Sequence, residues 1–117
     1  MKIYLAGPMR GLPHFNYPAF HAAAKELRNR GHFVFSPAER DIERHDGKDV
    51  SIGNLTGDLA QAEREHGFSI REALAEDLEF ICRHADCIAL LPGWVDSKGA
   101  LAERAAGRAL GLKEFFL

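Results

Sequence analysis

Cysteine is scarce: Cys82 and Cys87 are the only two in 117 residues, which excludes a disulfide framework, and their spacing is not CxxC. Both are expected to be buried free thiols. A surplus of one charge is also missing. Fifteen Lys plus Arg stand against 17 Asp plus Glu, for a net charge of −2, and neither sign clusters, which disfavours a nucleic-acid polymer or a membrane surface as partner. The longest apolar runs are a few residues, too short to span a bilayer, and Met1-Lys2 leads into a strand-like run without a cleavage signature, so the expected location is the cytoplasm. GxGxxG and the Walker A loop are absent, which argues against dinucleotide cofactors and NTP hydrolysis. The six histidines (14, 21, 32, 45, 66 and 84) show neither HxxxH nor HxH spacing, so no metal is expected, and no cofactor either. GxSxG is missing too, and Ser97 has no His partner in sequence.

What is present is one domain's worth of ordinary globular composition, 46% hydrophobic and 27% charged, over residues 1–117. KIYLA (2–6) ends at Gly7-Pro8 and is predicted to be a buried strand. A helix follows from Pro18, with Phe20, Ala23, Ala24 and Leu27 at helical spacing, Asn16 as its expected cap and Gly31 as its stop. HFVFSP (32–37) reads as a second strand. Residues 38–68 are polar and show no long stripe; GDLAQAERE has the length of one short helix, and the segment is expected to be a variable insertion or lid, with disorder as the alternative. Residues 69–85 are helical by periodicity, CIALLPG supplies a strand, and a helix from about Lys98 to Leu110, capped by Ser97, leads to a last strand in LKEFF. The fold class is therefore α/β: a small Rossmann-like (flavodoxin-like) three-layer domain with a parallel sheet of about four to five strands. Ligands of such sheets bind beyond the carboxyl ends of the strands, here the loops AGPMRG, FSPAER and LPGWVDSKGA.

Two carboxylates stand out. Asp77 falls within the apolar stripe of its helix, between Leu74 and Ile81. Periodicity alone favours an Asp at the stripe's margin paired with Arg71 or Arg10; the functional alternative is an acid of raised pKa in a cleft. Glu103 has small neighbours one turn away, Gly99, Ala106 and Gly107, while Arg104 and Arg108 are free to face solvent, Arg108 also within reach of Glu103. A solvated helix Glu is the plain interpretation. Against it stands the Ser97-Lys98-Gly99 turn, which opens the helix with free N–H groups and the positive dipole end, a natural anion site. Gly7, Arg10 and Gly11 follow the first strand, where backbone can approach a ligand and Arg can fork onto phosphate. Trp94 and Phe15 either stack on a flat ring or cap the core.

YLAGPMRG, the helix bearing Asp77, and DCIALLPGWVDSKGALAERAAGRALG together resemble the nucleoside 2-deoxyribosyltransferase superfamily, most closely a group of short domains with an LPGW…S-x-GA-x-x-E block. The likeness covers the first strand and residues 69–111. It implies that Glu103 is the nucleophile at the anomeric carbon and that Asp77 assists the departing base. The 2'-deoxynucleoside 5'-phosphate N-hydrolases resemble the chain further, which implies a 5'-phosphate held by Ser97, Gly99 and Arg10. The remaining substrate contacts are expected from Tyr4, Gly7, Met9, Gly11, Asn16 and Trp94. The implied function is hydrolysis of a (deoxy)nucleoside 5'-monophosphate to base and sugar 5-phosphate. The alternatives are a deoxyribosyltransferase and a nucleotide-binding module without turnover. A homodimer or larger homo-oligomer is implied as well. The chemistry fits a retaining route, which uses two carboxyl groups about 5 to 5.5 Å apart. Glu103 is expected to be ionised, favoured by the helix N-terminus, and Asp77 protonated in its apolar stripe.

Overall fold

Strand-length apolar runs alternating with amphipathic helices become, in the computed structural model of residues 1–117, one sheet covered on both faces. Its strands are β1 (Lys2–Ala6), β2 (Phe33–Phe35), β3 (Cys87–Leu90) and β4 (Lys113–Phe116). They lie in the order β2-β1-β3-β4, every pair parallel. That order is the one found in small Rossmann-like folds of the flavodoxin type. The crossovers are α1 (Tyr17–Asn29), α4 (Ile70–Arg83) and α5 (Lys98–Ala109); α2 (Pro37–Arg44) and α3 (Leu59–His66) belong to the segment between β2 and α4.

Central strands buried on both faces need apolar residues at every position. In β1, Ile3 and Leu5 pack with Phe20, Ala24 and Leu27 of α1, whereas Tyr4 and Ala6 face the opposite layer with Ile81 of α4 and Ala100 of α5. β3 alternates in step, Tyr4 lying beside Ile88 in the register. Small residues bring α5 down onto the sheet. A Cβ on Gly107 would sit 2.7 Å from Cγ1 of Ile88, so only glycine permits this approach.

The segment after β2 departs from expectation. Pro37–Arg44 is a helix, entered from Ser36 in extended conformation, with Pro37, Ala38 and Asp41 buried. Its inward stripe escapes a hydrophobicity search because one of the inward positions is a carboxylate. Disorder is also overturned. The Gly11 N–H donates to the Gly57 carbonyl (3.0 Å), the His14 N–H to the Asn54 carbonyl (2.8 Å), and His14 Nδ1 to the Ser51 carbonyl (3.1 Å). With Val50, Ser51 and Asn54 buried, this excursion is stitched to the loop after β1.

Two smaller expectations need correcting. Asn16 does not cap α1 with its side chain: it takes a left-handed conformation (φ 59°) and its Nδ2 donates to the Pro8 carbonyl at 3.0 Å, tying down the loop after β1. Cys87 is buried but Cys82 is exposed, because α4 turns Ile81, not its neighbour, toward the sheet.

Candidate active site

The sheet order reverses between β1 and β3, and the crevice that such a reversal opens is filled by a cavity of about 340 Å³. Its walls come from five parts of the chain: the loop after β1, Tyr17 at the start of α1, the N-terminal half of α4, the N-terminus of α5, and the excursion that follows β2.

Asp77 and Glu103 both line it, and each is only 6% exposed. Asp77 pairs with neither Arg71 nor Arg10; its Oδ1 is buried without a hydrogen-bond partner. Burial first, then the negative charge of Asp41, pushes its carboxyl up to about 7, against the opposing effects of Tyr4 and Arg44. Glu103 is not a solvated helix residue. Burial, then the charge of Asp77, pushes it up to about 8, while a hydrogen bond from the Tyr4 hydroxyl to its Oε2 (2.5 Å) opposes the rise. Burial therefore works against the expected ionised Glu103. Glu103 lies in the second turn of α5, beyond the reach of the dipole end, and desolvation wins.

Arg104 and Arg108 both pair with Glu114 on β4, at 2.5 and 3.0 Å, so neither neutralises Glu103. Tyr4 is fully buried beneath the cavity, its phenol raised well above the usual value by burial and then by Glu103. Its expected role as a substrate contact becomes a contact to Glu103 instead.

The mouth carries unfilled hydrogen-bond donors. Ser97 Oγ accepts from the Ala100 N–H at 3.2 Å, which fixes the first turn of α5, while the N–H groups of Lys98 and Gly99 find no acceptor within the chain. Ser97, Gly99 and Arg10 all line the cavity, as do Gly7 and Met9. Gly11, Asn16 and Trp94 do not. Gly11 is engaged with Gly57, Asn16 with Pro8, and the Trp94 ring packs under the Arg104 guanidinium, 4.4 Å from its centroid, and against Phe116.

The family model described as Domain of unknown function (DUF4406) matches residues 1–116. The chain belongs to this family. No curated protein and no solved structure matches it.

The DUF4406 cavity holds residues that the motifs did not single out. Asp41, 3% exposed, accepts from the Tyr17 hydroxyl at Oδ2 (2.7 Å) and from Arg44 Nη1 at Oδ1 (2.9 Å); both Asp41 and Tyr17 line the cavity. Arg44 Nε donates in turn to Glu76 on α4 at 3.0 Å, so α2 is locked to α4. Phe68 also lines the cavity and stacks on Phe15, with centroids 6.3 Å apart. The one available signal was position: FSPAER lies at the end of β2, where ligand loops belong. Chemically, the arrangement of this DUF4406 domain offers two carboxyl groups that exchange protons near neutral pH, which can serve as acid and nucleophile, beside an unfilled set of N–H donors.

Proposed function

We propose that the chain is a retaining N-glycosidase that hydrolyses (deoxy)nucleoside 5'-monophosphates to free base and sugar 5-phosphate. One observation carries the reading: Asp77 and Glu103, distant in sequence, are both buried and both raised in pKa at the wall of a single cavity that also contains the free N-terminal turn of α5. The resemblance to the nucleoside 2-deoxyribosyltransferase superfamily points the same way.

In this reading the 5'-phosphate sits on the N–H groups of Lys98 and Gly99, with Ser97 and Arg10 beside it. Gly99 and Glu103 are one helical turn apart, so holding the phosphate presents the anomeric carbon to the carboxylate. A Glu103 oxygen attacks that carbon, the bond to the base breaks with its electron pair going to the base nitrogen, and the Asp77 proton follows. Water then attacks the sugar ester, giving its proton to Asp77 and releasing Glu103 as a carboxylate. The competent form carries one proton on the pair. In the free chain Glu103, raised to about 8 against about 7 for Asp77, holds that proton more tightly, so the reading requires the bound nucleotide to shift it to Asp77.

It follows that kcat/KM should peak where the pair is singly protonated, between about pH 7 and pH 8, and fall on both sides. A profile that rises to a plateau from pH 5 would contradict the pairing.

The test of the reaction is base release, followed by chromatography, from a panel of canonical and modified nucleoside monophosphates and the corresponding nucleosides, with and without an acceptor base. Base released from monophosphates alone supports hydrolysis. Reaction of nucleosides only with an acceptor makes the chain a transferase, and a rise in melting temperature with no released base makes it a binding module. The implied homo-oligomer belongs to the same proposal, supported by the exposed Leu110, Phe115 and Phe116 at and beside the β4 edge. Sedimentation of the purified chain as a monomer at micromolar concentration would remove that part.

A further inference from the structure

We infer that Asp41 selects the base, favouring one that presents an exocyclic amino group over one that presents an oxo group at the same place. The inference rests on the proposed placement of phosphate and sugar and adds the substrate's third part.

With phosphate at α5 and the glycosidic bond between Glu103 and Asp77, the base must occupy what is left of the cavity. Asp41 marks that direction. It belongs to α2, which follows β2, whereas the phosphate turn opens α5 after β3; β2 and β3 flank β1 on opposite sides, so Asp41 lines the cavity on the side away from the phosphate. The surroundings there suit a flat ring: Phe15 and Phe68 are stacked on each other, with Leu59 and Ile70 nearby. Among these apolar side chains the polar atoms are those of Asp41 and Tyr17.

Their hydrogen-bond polarity is already set. The Tyr17 hydroxyl spends its proton on Asp41 Oδ2, and Arg44 holds Oδ1, so the carboxylate is kept in place and each oxygen retains a lone pair for a further donor. What this end of the cavity offers a ligand is an acceptor. An amino group can donate to it, whereas an oxo group would bring its own lone pairs against a buried carboxylate, and a site with such a group discriminates strongly against the analogue that cannot pair with it.

Matched nucleotide pairs isolate this difference: cytidine against uridine monophosphates, and adenosine against inosine monophosphates, each in ribose and deoxyribose form. The amino member of each pair is expected to have the higher kcat/KM by at least tenfold. Asp41→Asn, whose amide can also donate, should narrow or reverse the ratio. The same pairs are measured by calorimetric binding to Glu103→Gln, which needs no turnover. Should Asp41→Asn fail to fold, the wild-type ratios and the Glu103→Gln affinities still decide. Turnover without an amino preference overturns the role of Asp41 and leaves the glycosidase standing. Amino-selective binding with no base released by the wild type does the reverse. If no nucleotide binds or reacts, both are overturned.

Discussion

On the proposed mechanism, Glu103→Gln is expected to lower kcat by about 1000-fold or more while nucleotide binding survives, because an amide keeps the shape of the side chain but cannot form the sugar ester. The same substitution should change stability in a way that depends on pH. The Glu103 carboxyl is raised from the ordinary 4.5 to about 8 in the folded chain, so the native state holds that proton more tightly than the unfolded one. The resulting stabilisation is fully present below about pH 4.5 and is lost as the pH climbs through 8. Asp77, raised to about 7, acts in the same sense over a slightly lower window. Wild-type stability should therefore decline from pH 5 to pH 9, and the glutamine variant, with no proton to surrender at this position, should decline less. One pKa unit corresponds to about 1.4 kcal/mol. The melting temperature of the variant should accordingly gain on that of wild type by roughly 5 °C or more between pH 5 and pH 9. Parallel curves in differential scanning calorimetry would mean that Glu103 is solvated, and the site as described would not exist.

Gly57→Ala should be nearly as damaging, for a reason unconnected with chemistry. Gly57 has φ +67°, and a Cβ there would stand 2.4 Å from the Leu12 carbonyl oxygen and 2.6 Å from the Gly11 nitrogen. Those are backbone atoms that cannot swing aside, and the Gly57 carbonyl is itself the acceptor for Gly11. An added methyl group must push the excursion off the loop after β1, at a cost of about 3 kcal/mol or more. Gly53→Ala is the control. Its φ of +80° is equally unsuited to alanine, but nothing lies within 4 Å of the added carbon, so only backbone strain of about 1 kcal/mol applies. Equal unfolding midpoints for the two variants in urea would show that the contact between the loops carries no weight.

Much of this architecture is visible in the residues themselves, and the parts that are not share a cause. β1 and β3 declare themselves because strands buried on two faces leave no polar position. α5 declares itself through the Ser97 cap, and Asp77 is conspicuous because a carboxylate interrupts an apolar stripe. Asp41 is hidden by the same circumstance in a shorter helix: within the eight residues of α2 there are too few apolar neighbours to make the carboxylate look out of place. Its neutralising partners, Tyr17 and Arg44, lie on α1 and at the end of α2, and no local pattern connects them. Trp94 misleads in the opposite direction. A large aromatic in a ligand loop suggests a stacking platform, but Arg104, ten residues on, competes for its face and wins. The burial of Glu103 could be suspected from its small neighbours, yet its hydrogen bond to Tyr4 depends on sheet order, which periodicity does not reveal.

Tyr4 belongs to the first strand and Glu103 to the last helix, so the bond between them joins residues from opposite ends of the chain. During synthesis the loop after β1, the excursion and Asp77 leave the ribosome before Glu103 does. Under the proposed function, a nascent chain halted anywhere before α5 would lack one of its two carboxyl groups, and a protein cut between β3 and α5 would regain the pair only if the two fragments reassociate. The proposed pair would thus be assembled only once the first strand and the last helix have met.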